Sequence, residues 1–122
     1  MATHMEKLDG LQPHFKKKAL LIIKGMETHG WSIQVIFGSR TKAQNDALGS
    51  NASKTSKHLR GLAVDIIDTK IGYNIKYKDF GHAFCRNLEQ LCKEHNAYWG
   101  GNFVRTNPKN RWDPCHFQDT RY

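Results

Sequence analysis

The chain has 122 residues, 39% of them hydrophobic and 25% charged, which is enough for one packed core but not two and excludes a disordered polypeptide. Lys and Arg number 19 against 11 Asp and Glu, a formal net charge of +8. Such a balance favours an anionic polymer as partner: nucleic acid, an anionic membrane surface or bacterial cell-wall material.

The first residues, Met1 to Gly10, are polar and read as an N-terminal extension of one domain covering 1–122. From Pro13 to Thr28 the apolar residues Phe15, Ala19, Leu20, Ile22, Ile23 and Met26 recur at helical spacing, with Lys16, Lys17, Lys18 and Lys24 on the polar side. His29-Gly30 closes that helix. Trp31 to Phe37 reads as a strand with Ile33, Val35 and Phe37 on one face. Thr41 to Leu48 suits a short helix, Gly49 to Lys57 a polar loop, and Leu62 to Ile67 a buried strand, with Asp68 a solvated turn residue at its end. A second amphipathic stripe starts at Asp79 and uses Phe80, Ala83, Phe84, Leu88, Leu91 and Cys92, ending near His95-Asn96. The remainder predicts a short strand at Tyr98, a Gly100-Gly101 turn, a basic loop and a last strand around Cys115 to Gln118. The fold class expected is α+β: a small antiparallel sheet packed with helices.

The longest apolar run, Ala19-Leu20-Leu21-Ile22-Ile23, is too short for a bilayer span or a signal-peptide core. Membrane insertion and a dedicated export route are therefore not expected. Three cysteines, Cys85, Cys92 and Cys115, are an odd count and do not form a disulfide framework. Cys85 and Cys92 sit roughly 10 Å apart along a helix axis, too far for a bridge. Cys115 neighbours His116 and competes with it as a metal ligand only if adjacent strand residues share a face, which strand geometry opposes.

Two segments carry the chemistry. Ser56-Lys57-His58-Leu59-Arg60-Gly61-Leu62-Ala63-Val64-Asp65 and Trp112-Asp113-Pro114-Cys115-His116-Phe117 together offer two imidazoles and a carboxylate, with a second carboxylate three residues before the last histidine. His58, Asp65 and His116 form a two-histidine, one-carboxylate set that suits a catalytic zinc (Zn2+) with an open position for water. Asp113 is placed to take a proton from that water. Asp65 stands among Leu62, Ala63, Val64, Ile66 and Ile67 and needs either a partner or a solvent-facing side of the strand. His4, His14, His29, His82 and His95 have no comparable company and read as surface residues.

These motifs resemble the zinc D-alanyl-D-alanine peptidase family, and within it the L-alanyl-D-glutamate peptidase branch of bacteriophage endolysins. The resemblance rests on Ser56-x-His58-x-x-Gly61-x-Ala63-x-Asp65, on Asp113-x-x-His116, on Phe37-Gly38-Ser39-Arg40-Thr41-Lys42-Ala43-Gln44 and on Tyr98-Trp99-Gly100-Gly101. All four pieces are in order from about Leu11 to Gln118, although Ser39 departs from the family's usual tyrosine. The resemblance implies a fold shared with hedgehog signalling domains, zinc on His58, Asp65 and His116, Asp113 as catalytic carboxylate and Arg40 stabilising charge on the scissile carbonyl. Ser56, Gln44 and Trp99 are substrate-binding on this reading, Ser56 and Gln44 through hydrogen bonds, and Trp99, Trp112 and Phe117 suit either an apolar shield for the site or plain core packing. The implied substrate is the peptidoglycan stem peptide, cut between L-Ala and D-Glu by a monomeric enzyme. The implied setting is the host cytoplasm, with release to the cell wall through a separate pore protein. The alternatives are a zinc D-Ala-D-Ala carboxypeptidase and, outside enzymes, a basic nucleic-acid-binding module. Specific nucleic-acid binding is not expected, since no helix-turn-helix or RNA-binding motif is present.

Overall fold

The computed structural model describes residues 2–38, 61–75 and 79–120. Its ordered elements are a 3-10 turn at Met5–Leu8, helix α1 at Pro13–Thr28, strands β1 at Ile33–Phe37 and β2 at Ala63–Asp68, helix α2 at Ala83–Glu94 and strand β3 at Ala97–Trp99. A 3-10 turn at Gly100–Asn102, the short helix α3 at Phe103–Thr106 and strand β4 at His116–Asp119 complete them. The expected helix at Thr41 to Leu48 and loop at Gly49 to Lys57 lie outside the described residues.

Helix α1 has the bounds its periodicity predicts. Pro13 supplies a preset φ at the first helical position, and Gly30, at φ 94°, accepts the left-handed conformation that ends it. Phe15, Ala19, Ile22, Ile23 and Met26 are buried along one stripe, while Leu20 and Leu21 remain exposed. In α2 the stripe is Phe84, Cys85, Leu88, Leu91 and Cys92. That helix begins later than Asp79 because His82 caps it, its Nδ1 accepting the Phe84 N–H at 3.1 Å.

The four strands form an antiparallel sheet in the order β1-β2-β4-β3. Strand alternation gives it two unlike faces. Ile33, Val35, Val64, Ile66 and Phe117 join the core with both long helices, and Phe15 of α1 meets Phe117 with ring centroids 6.1 Å apart. Asp65, His116 and Gln118 occupy the positions of opposite parity. The carboxylate in an apolar strand is thereby explained: Val64 and Ile66 serve the core, and the partly buried Asp65 does not.

Three expectations are corrected here. Phe37 does not share the core face with Ile33 and Val35, because the β1–β2 register shifts between Val35 and Phe37 and leaves Phe37 exposed. Asp68 is at the strand's end but is buried. Its carboxylate accepts the backbone N–H groups of Ser32 at 2.7 Å and Lys70 at 3.1 Å, tying two turns together. The stretch expected to be an N-terminal extension packs on the domain: Thr3 bridges to Gln34 of β1, and Leu8 is buried. Its apolar residues are too sparse to show a period.

His14, read as a surface residue, also has a specific task. Its Nε2 lies 2.7 Å from Oδ2 of Asp119, whose side chain is fully buried, and Lys18 donates to Oδ1 of the same carboxylate at 2.9 Å. Lys18 donates as well to the Asn96 carbonyl at 2.9 Å, so α1, β4 and the turn before β3 meet at one charge. We expect Lys18→Met, which keeps the aliphatic stem, to lower unfolding free energy by about 1–3 kcal/mol. Denaturant titration checks this, and an unchanged midpoint would show the ion pair to be energetically idle.

Candidate metal centre and active site

Asp65 and His116 are direct cross-strand partners on β2 and β4, a pairing that holds side chains within reach. The His116 Nδ1 lies 2.8 Å from Asp65 Oδ1 and 3.8 Å from Asp113 Oδ2. One ligand atom from each of Asp65, Asp113 and His116 falls within 4.8 Å of the others. Burial is graded: the side chains of His116, Asp65 and Asp113 are 8%, 17% and 41% exposed.

The imidazole is held on both edges. Across the ring from Asp65, Nε2 lies 2.9 Å from Gln118 Oε1, and the Phe103 ring packs at 5.5 Å from the imidazole. Burial pulls the His116 pKa down. The hydrogen bond and charge of Asp65, the charge of Asp113 and the Gln118 contact outweigh that and hold it above the ordinary histidine value. Two carboxylates facing one ring nitrogen make an anionic cradle, and its mixed nitrogen and oxygen donors are a set that zinc accepts.

The Asp113 turn is set by aromatic packing and by a glycine. His116 donates its N–H to the Asp113 carbonyl at 3.3 Å, and Trp99 Nε1 donates to the Pro114 carbonyl at 2.9 Å. Trp112 packs edge-on against Phe80 at 4.8 Å and Trp99 at 5.7 Å. A Cβ on Gly100 would collide with the Asp113 carbonyl oxygen and stand 2.9 Å from the His116 Cβ. Gly100, directly after β3, is therefore where the site turn can approach, whereas Gly101 makes room for the Trp99 ring. Gly100→Ala is expected to cost about 1–3 kcal/mol of stability and to lower activity more than Gly101→Ala at equal folded fraction. Melting curves paired with rate measurements check it, and an alanine variant of wild-type rate would contradict it.

Of the residues singled out in the sequence, Asp65, Asp113 and His116 are brought together, whereas His58, Arg40, Ser56 and Gln44 lie outside the described residues. Trp99 is corrected: it is 1% exposed, so its ring cannot meet a substrate and instead fixes the Pro114 carbonyl. Cys115 is buried, and its thiol is pushed up to about 12, by burial first and then by Asp113, Asp65 and Cys85. It stays an inert thiol on the opposite face. Sequence reasoning missed Gln118 and Tyr73. Most of Tyr73 is exposed, yet partial desolvation of its hydroxyl, then the charges of Asp65, Cys115 and Asp113, push it up to about 12, which places the phenol within the field of the site.

A family profile described as D-alanyl-D-alanine carboxypeptidase matches residues 50–119, more than half of the chain and the part that holds Asp65, Asp113 and His116. The chain belongs to the D-alanyl-D-alanine carboxypeptidase family. Among solved structures, the L-Ala D-Glu endopeptidase ChiX of Serratia marcescens is 25% identical, with a TM-score of 0.64 over 94% of this chain and 84% of that one. The LD-carboxypeptidase LdcB is 14% identical, with a TM-score of 0.63 over 89% of this chain and 58% of its own. The D,D-pentapeptidase VanY, solved as a Zn(II) complex of its E175A mutant, is 14% identical, with a TM-score of 0.65 over 89% of this chain and 72% of its own. The latter two show the shared α+β fold. No curated protein sequence matches this carboxypeptidase-family chain. No helix among its described residues is long and apolar enough to cross a membrane.

Proposed function

We propose that this family member is a zinc-dependent peptidoglycan hydrolase that cuts the L-Ala–D-Glu bond of stem peptides. The observation that carries it is the meeting of Asp65, Asp113 and His116 within 4.8 Å inside the segment that defines the family. His116 through Nδ1, Asp65 and, from outside the described residues, His58 are the proposed ligands. Zinc bound there supplies Lewis-acid activation of water and polarisation of the scissile carbonyl.

The chain's own groups do the rest. Asp113 is the more exposed carboxylate and the farther from His116, which leaves it able to accept the proton of the attacking water and deliver it to the leaving amine. Arg40 is assigned to the negative charge that develops on the carbonyl oxygen. Ser56 and Gln44 are assigned to hydrogen bonds with the substrate. The likeness to ChiX, described as an L-Ala D-Glu endopeptidase, supports the choice of bond. A net charge of +8 suits an anionic wall polymer and the role of a phage endolysin.

The second reading is a D-Ala-D-Ala carboxypeptidase, favoured by the description of the matching family. Digestion of purified peptidoglycan followed by mass spectrometry and end-group analysis separates the two. New D-Glu amino termini are expected. Free D-Ala would move the assignment to the carboxypeptidase, and no cleavage of either bond would sink both.

A further inference from the structure

We infer that Gln118 is a positioning residue for His116: its amide oxygen holds the imidazole Nε2–H and so turns the Nδ1 lone pair toward the metal position beside Asp65. The inference rests on the zinc reading above. It starts from strand geometry, because residues two apart on β4 share a face, which places Gln118 alongside His116 rather than in the core. The two rings of contact are then complementary. Nε2 is 2.9 Å from Gln118 Oε1, while Nδ1, across the ring, is 2.8 Å from Asp65 Oδ1.

A zinc-bound imidazole donates through its remaining N–H, and an acceptor at that N–H fixes both tautomer and ring angle. Gln118 is suited to the task in a way its neighbours are not. A glutamine oxygen accepts the proton without adding a third carboxylate to the two already present. Phe103, stacked on Tyr98 at 5.6 Å and 24°, packs on the imidazole ring but offers no acceptor. The other side of Gln118 borders an open cavity of about 310 Å³, lined also by Tyr98, Phe103, Asp119 and Thr120. Its side chain is therefore not required to fill the core, and its hydrogen bond to the ligand is what its identity supplies.

The test uses the full chain with Gln118→Leu and Gln118→Glu, measuring zinc dissociation constants by chelator competition and melting of the metal-free proteins. Gln118→Leu is expected to weaken zinc binding about 10–100-fold, with metal-free melting close to that of the parent. Gln118→Glu keeps an acceptor oxygen and is expected to bind within about threefold of the parent, a limit set well below that loss. Parent-like zinc binding by Gln118→Leu would overturn the role of Gln118 alone, as would equal losses in both variants. A parent protein that binds no zinc would overturn the metal reading itself, and the positioning role with it.

Discussion

Asp113→Asn is expected to reduce kcat/KM on peptidoglycan fragments by about 10²–10⁴-fold, the range for loss of a positioned general base, while zinc stays bound at the parental stoichiometry. The reasoning separates two carboxylates of the same chemical type by their placement. Asp65 is 2.8 Å from His116 Nδ1 and mostly buried, whereas Asp113 is 3.8 Å away and 41% exposed. The near, shielded group fits a ligand, and the outer one can meet both water and a leaving amine. Asparagine keeps size and hydrogen-bonding capacity but has no basic oxygen pair to receive a proton. Metal analysis alongside the rates is decisive: loss of zinc in Asp113→Asn would make Asp113 a ligand rather than the base.

His116→Ala is expected to have the largest effect on metal binding, with zinc affinity falling by more than about 100-fold, beyond what loss of an outer partner produces. It should also be felt without metal. Asp65 loses its 2.8 Å contact with the imidazole Nδ1, and a hydrogen bond to a charged group is worth about 1.5–3 kcal/mol. Zinc at a hundredfold excess over its dissociation constant stabilises the parent by about 2.7 kcal/mol, roughly 10 °C for a chain of this size. Differential scanning calorimetry with and without zinc should show that shift in the parent and at most about 0.4 kcal/mol, roughly 1–2 °C, in His116→Ala. A zinc shift of the parent's size in the variant would contradict the assignment of His116.

What could be read from the sequence follows the range over which each signal acts. The α1 stripe and its Gly30 stop are local, and the helix falls on Pro13–Thr28 as expected. Strand β2 runs over Ala63–Asp68, one residue later at each end than Leu62 to Ile67, because a buried run has no sharp end. Asp65 and His116 were legible because motif spacing names them, and the sheet then makes them cross-strand partners. Gln118 was not: its place two residues from His116 sets the shared face, but the contact of its amide oxygen with Nε2 depends on side-chain conformations that no spacing encodes. The His14–Asp119–Lys18 cluster joins groups far apart in sequence, beyond any local pattern. Trp99 shows the opposite error: an aromatic residue in a motif suggested a substrate contact, yet its indole is committed to the Pro114 carbonyl.

The most direct test of the account is hydrolysis of a purified stem peptide by the parent protein after chelation and again after zinc is restored. The account expects cleavage to vanish with the chelator, to return with one equivalent of zinc, and to stay absent in Asp113→Asn and His116→Ala. Cleavage that persists in the metal-free protein, or that survives loss of His116, would contradict a zinc peptidase built on Asp65, Asp113 and His116.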